Sequence, residues 1–148
     1  MEVVVGRGLD HILFGISEAE LISRLGSPDK VEIPDFFEEE AEEGERHLRY
    51  NGLRCCFWFR SDRLHWIRCA NPELEIFGRR LLGERTDVVL PFLSSRLSDT
   101  LEYEDYGSFE SHTFEDSWLE LQFEYDVLHE VCFGHLWAAD DEPVWPVA

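Results

Sequence analysis

The chain of 148 residues carries 32 acidic against 13 basic side chains, a net charge of −19, with 44 % apolar and 14 % aromatic residues. That length and apolar content suit one domain able to bury about 70 % of its unfolded surface in a single core. The acidity speaks against nucleic acid, an anionic membrane or acidic ligands as partners, since each would meet like charge.

The charge is unevenly placed. Residues 1–74 hold 15 acids and 9 bases, residues 75–148 hold 17 acids and 4 bases, and 14 acids follow Arg96 without one Lys or Arg among them. Cys55, Cys56, Cys69 and Cys132 lack the paired spacing of a metal knuckle, and neighbours Cys55 and Cys56 point to opposite faces of a strand. A reduced, cytoplasmic protein is the simplest account of them. Residues 1–6 do not read as a secretion signal, and no run approaches the ~20 apolar residues of a membrane helix.

In chain order, Val3 to Val5 read as a short strand and Gly6-Arg7-Gly8 as a turn. Ser17 with Glu20 forms a capping box, and Leu21, Ile22 and Leu25 give the following helix one apolar stripe that ends at Gly26 and Pro28. Seven acids between Asp35 and Glu45 predict an exposed acidic loop over 35–45. Alternation then predicts a meander of strands at 46–50, 53–60 and 63–69, with tight turns at Asn51-Gly52 and at Arg60 to Arg63. Leu74 to Phe77 offers a fourth strand. Thr86-Asp87 opens a second helix, kinked or delayed by Pro91, and strands follow near 109–115, 118–124 and 127–134. An irregular tail over 138–148 is expected to fold Trp145 back on the body.

Residues 47–69 and 111–133 overlay without a gap at an offset of 64, with four identities in 23 positions and apolar residues retained at alternate sites. The helical segments align at an offset of 68, so the first half is longer by four residues, and the acidic loop lies where they are inserted. The expectation is an α+β fold: two tandem helix-plus-antiparallel-β-meander half-repeats, approximately 1–74 and 75–148, forming one sheet-based domain over 1–148.

Chemistry is sparsely signalled. His129, Cys132 and His135 have a metal-like spacing, but on a strand Cys132 points away from the two histidines, so no metal site is expected. Gly6-Arg7-Gly8 lacks the third glycine of a dinucleotide fingerprint, no nucleophile elbow occurs, and no cofactor is expected. His65 and His129 occupy matching places just after a hairpin turn; a shared structural role is favoured, and a small-ligand or enzymatic site using both with nearby carboxylates is the alternative. The richer signal is a sheet face. Alternation turns Cys55, Phe57 and Phe59 inward, and Arg54, Cys56, Trp58 and Arg60 outward beside Trp66 and Arg68; the second half shows Trp118, Glu120, Gln122, Glu124 and Glu130. Tryptophans flanked by arginines on one side and carboxylates on the other make a protein-binding surface.

A capped helix with Phe14-Gly15-Ile16-Ser17 and Leu25-Gly26-Ser27-Pro28, then a β-meander, then the unit again, resembles the tandem-repeat β-lactamase-inhibitor-protein fold and the related single-unit outer-membrane assembly lipoproteins. The resemblance covers most of residues 12–134. It implies a function in which a broad sheet and acidic loops clamp another protein. A small, strongly acidic protein of this kind is also similar to bacterial toxin-immunity proteins. The resemblance implies a protein inhibitor rather than an enzyme, neutralising a basic, nuclease-type toxin through Trp58, Trp66, Trp118, Glu120, Glu124, Glu130 and the loop acids Glu38, Glu39, Glu40, Glu42 and Glu43.

Overall fold

The computed structural model describes residues 1–34 and 44–147. Strands β1 (Glu2–Val4), β2 (Gly8–Leu9) and β3 (Ile12–Leu13) precede helix α1 (Glu18–Leu25), and β4 (Lys30–Glu32), β5 (Arg46–Tyr50), β6 (Cys55–Arg60), β7 (Arg63–Cys69), β8 (Glu75–Ile76) and β9 (Arg79–Arg80) follow it. After α2 (Thr86–Ser94) come β10 (Leu101–Asp105), β11 (Glu110–Phe114), β12 (Leu119–Glu124), β13 (Val127–Gly134), β14 (Leu136–Trp137) and β15 (Pro143–Val144).

Among the described residues the chain is mostly β, 46 % strand against 12 % helix, and the α+β expectation of two helix-plus-meander half-repeats is corrected. Strand was undercounted for two reasons. The two-residue strands β2, β3, β8 and β9 are too short to show alternation, yet they join β1 in a five-stranded sheet of order β3-β2-β1-β8-β9. β10 is exposed along its whole length, so its acidic sequence carries no inward-facing pattern. The segment at 74–77 does form a strand, but β8 pairs parallel with β1 and leaves the meander. The tail also pairs, through β15 on β14, and Trp145 packs against His135 at 4.6 Å.

The larger sheet has eight strands in the order β10-β11-β12-β13-β7-β6-β5-β4, with every neighbouring pair antiparallel. One of its faces carries Leu48, Phe57, Ile67, Leu119, Leu121, Val131 and Phe133, all buried in one cluster with Leu21 of α1 and with Val89 and Leu93 of α2. Each such side chain contributes roughly 1.5–3 kcal/mol by leaving water, and together they hold both helices on that face.

Local chemistry explains the helix start and the hairpins. Ser17 caps α1 by accepting from the Glu20 amide at 3.2 Å. Ser61-Asp62 and Tyr125-Asp126 all have positive φ, between 50° and 63°, which gives two-residue hairpin turns whose twist matches the strands. Each turn anchors a helix start: Asp62 Oδ1 accepts from the Glu18 amide, and the Asp126 carbonyl accepts from the Thr86 amide, both at 3.0 Å. Asn51-Gly52 does not make the expected tight turn. Tyr50 pairs with Cys55 across a loop that includes Arg54 at φ 52°, so β6 begins at Cys55 rather than at 53.

Candidate functional site

Alternation sends every second residue of the large sheet away from the helices, and the cross-strand register fixes which of these stand together. One row runs Arg49, Cys56, Arg68, Cys132, Glu120, Thr113 and Glu102 from β5 to β10. A second runs His47, Trp58, Trp66 and Gly134, and a third Glu130, Gln122, Ser111 and Glu104. Among the described residues no helix crosses this face. It is basic toward β5 and acidic toward β10.

Two depressions divide it. The one on the basic side, about 500 Å³, is bordered by Arg49, Arg54 and Arg68, of which Arg49 and Arg68 pair with Glu32 and Glu130 at its rim, with Trp58 at its wall. The one on the acidic side, about 250 Å³, is formed by Trp66, Trp118 and Tyr106 with Glu102, Glu104 and Glu120. Arg68 and Glu130 meet at 2.5 Å between them. Trp66 and Trp118 lie edge to face, ring centroids 5.7 Å apart. They can do so because Gly134 has no side chain: a Cβ there would fall 2.6 Å from the Trp118 ring and 2.8 Å from that of Trp66.

The basic side is braced from one edge by Glu45, which is only 5 % exposed. Its Oε1 accepts from Nε2 of His47 at 3.1 Å and of His65 at 3.0 Å, and its Oε2 from Arg60 at 3.1 Å. Burial opposes ionisation of this carboxyl, but the two histidine hydrogen bonds and the charges of His65 and Arg60 outweigh it and hold its pKa at about 2. An ionised carboxylate can only accept, so both histidines present Nε2–H. His47 in turn stacks on Trp58, centroids 3.8 Å apart and nearly parallel.

Of the residues expected to bind a partner, Trp58, Trp66, Trp118, Glu120 and Glu130 lie around this face. Glu120 is oriented by Ser111 Oγ at 3.0 Å and Gln122 Nε2 at 3.2 Å. Glu124 stands apart, exposed at the hairpin end with His129 3.8 Å away. Glu38, Glu39, Glu40, Glu42 and Glu43 lie outside the described residues. Sequence reasoning placed Glu45 in the exposed acidic loop, whereas it is buried, and missed Glu102, Glu104 and Tyr106. Glu45 is indistinguishable in sequence from its acidic neighbours, and Glu102 and Glu104 lie on a wholly exposed strand with no inward-facing residue to mark it.

The two histidines of the alternative site are not brought together. His65 lies one residue beyond the Trp66–Gly134 pair, opposite His135, which puts His129, six residues along β13, about 20 Å away. His129, Cys132 and His135 also diverge. Cys132 is fully buried against Gln122 and Glu130, and the imidazole of His135 sits between Trp137 and Trp145. Burial pushes the thiols of Cys56 and Cys132 up, away from thiolate chemistry. What the face can do is hold cations: the Trp66–Trp118 cup offers ring faces and the glutamates offer charge to a guanidinium or ammonium.

The sequence matches no known protein family and no curated protein. Among solved structures it is similar to an extracellular protein containing a SCP domain from Bacillus anthracis str. Ames, at 14 % identity and a TM-score of 0.50. The match covers 82 % of this chain and 43 % of that one, so the chain spans less than half the length of that protein. At this identity the likeness is one of fold.

Proposed function

We propose that the protein is a stoichiometric inhibitor of another protein, of the immunity type that neutralises a basic, nuclease-type bacterial toxin in the cytoplasm. The observation that carries this reading is the face of the large sheet that no helix crosses among the described residues, whose acidic half sets Glu102, Glu104 and Glu120 around the aromatic cup of Trp66 and Trp118. A basic partner fits that surface by charge, and aromatic anchors beside oriented carboxylates are the composition from which binding hot spots are made. The net charge of −19 adds long-range steering, which speeds encounter with a cationic partner and weakens as salt rises. Occluding a phosphate-binding surface needs no catalytic group of the inhibitor's own.

Affinity capture from the source cell at low salt tests the reading. One dominant basic protein should be retained in equimolar amount, and its activity should fall to background when one equivalent of the inhibitor is added. Recovery of no such protein, or of one whose activity is untouched at several equivalents, would overturn it.

A further inference from the structure

The geometry points to Cys55 and Cys69 as a redox site, a dithiol that closes to a disulfide between β6 and β7 when a small-molecule disulfide of the glutathione class is present. The two residues are directly opposed on neighbouring antiparallel strands. The Ala70 amide donates to the Arg54 carbonyl at 2.9 Å, so the hydrogen-bonded pair is 54/70. By alternation the 55/69 pair is then of the non-hydrogen-bonded kind, in which side chains stand closest. Their sulfurs are 2.9 Å apart, and backbones at this spacing lie within the range that a disulfide spans.

The pairing is selective. Cys56 points to the opposite face from Cys55, and Cys132 stands two strands from Cys56 with Arg68 between them, about 10 Å away. Both thiols lie on the covered face of the sheet, 3 % and 1 % exposed, so the reagent reaches them on local opening of the strand pair rather than through the depression on the opposite face. In the first step one protein thiolate attacks a reagent sulfur, the S–S bond breaks, and one equivalent of reagent thiol leaves. In the second the other protein thiolate attacks the mixed disulfide and the second equivalent leaves. Two electrons pass to the reagent, and the two thiol protons end on its released thiols.

Reduced, desalted protein equilibrated in glutathione buffers of rising oxidised fraction tests the site. Thiols counted in denaturant should fall from four to two, the intact mass should drop by two hydrogens, and trypsin should release residues 55–60 joined to 69–79. The double variant Cys56→Ser/Cys132→Ser should keep the link, and Cys55→Ser, checked for folding by circular dichroism, should abolish it. Four thiols surviving in fully oxidised buffer, or a link that the double variant loses, would overturn the assignment.

Discussion

At Glu45, burial and partnering pull in opposite directions, and the partners win. Its carboxyl sits near pKa 2 against an ordinary 4.5, so its contribution to stability is complete above about pH 4.5 and disappears as pH falls through 2. A shift of this size is worth on the order of 3 kcal/mol. Urea unfolding measured from pH 6 to pH 2 should show the wild type losing that amount more than Glu45→Gln does, and equal slopes for the two would contradict the role given to this residue. Gly134 is the second position where one atom decides the architecture. Gly134→Ala must displace Trp66, Trp118 or both, and should cost about 1–3 kcal/mol while shifting tryptophan fluorescence; unchanged emission and stability would contradict the role given to Gly134. Neither residue betrays its role in the sequence. Glu45 ends an acidic run, and nothing local says that the chain turns inward there.

At the scale of elements, alternation located the strands at 46–50, 63–69 and 127–134, and the Ser17–Glu20 box located α1, because those signals depend only on local periodicity and on one side chain meeting one amide. Register was not legible. A bulge between Trp58 and Phe59 slides β6 by one place on β7, so Phe59 faces Leu64 but Trp58 faces Trp66. A ladder without it would set Cys55 opposite Arg68 and leave the Cys55–Cys69 pair invisible. A matching shift lies between Gln122 and Phe123 of β12. The turn of that second hairpin holds Tyr125 at φ 50° with its side chain 97 % exposed, a left-handed conformation that a bulky residue adopts at a cost and that Asn or Gly prefers. Tyr125→Asn should therefore raise the unfolding free energy by roughly 0.5–1 kcal/mol. A loss of stability would show that the exposed ring makes a contribution its surroundings do not reveal.

Over the whole molecule, two helices close one face of an eight-stranded sheet, and the other face is left with tryptophans, arginines and carboxylates sorted by charge along the strand order. The sorting follows from composition: the second half of the chain is poor in bases, and its strands form the acidic half of the sheet. The outward-facing residues of the strands were legible for that reason, whereas the acidic edge strand β10 was not, since it buries nothing. This face is the proposed interface. It is tested most directly by calorimetric titration of the captured basic partner with three variants: Trp66→Ala/Trp118→Ala, Glu102→Lys/Glu104→Lys, and Glu20→Lys/Glu73→Lys, whose exposed side chains lie off the face. Each of the first two should raise Kd about 100-fold or more, the third should change it by less than about threefold at physiological salt, and only the charge effects should shrink as salt is added. Equal losses for the two charge-reversal variants, or full affinity without the tryptophans, would contradict it.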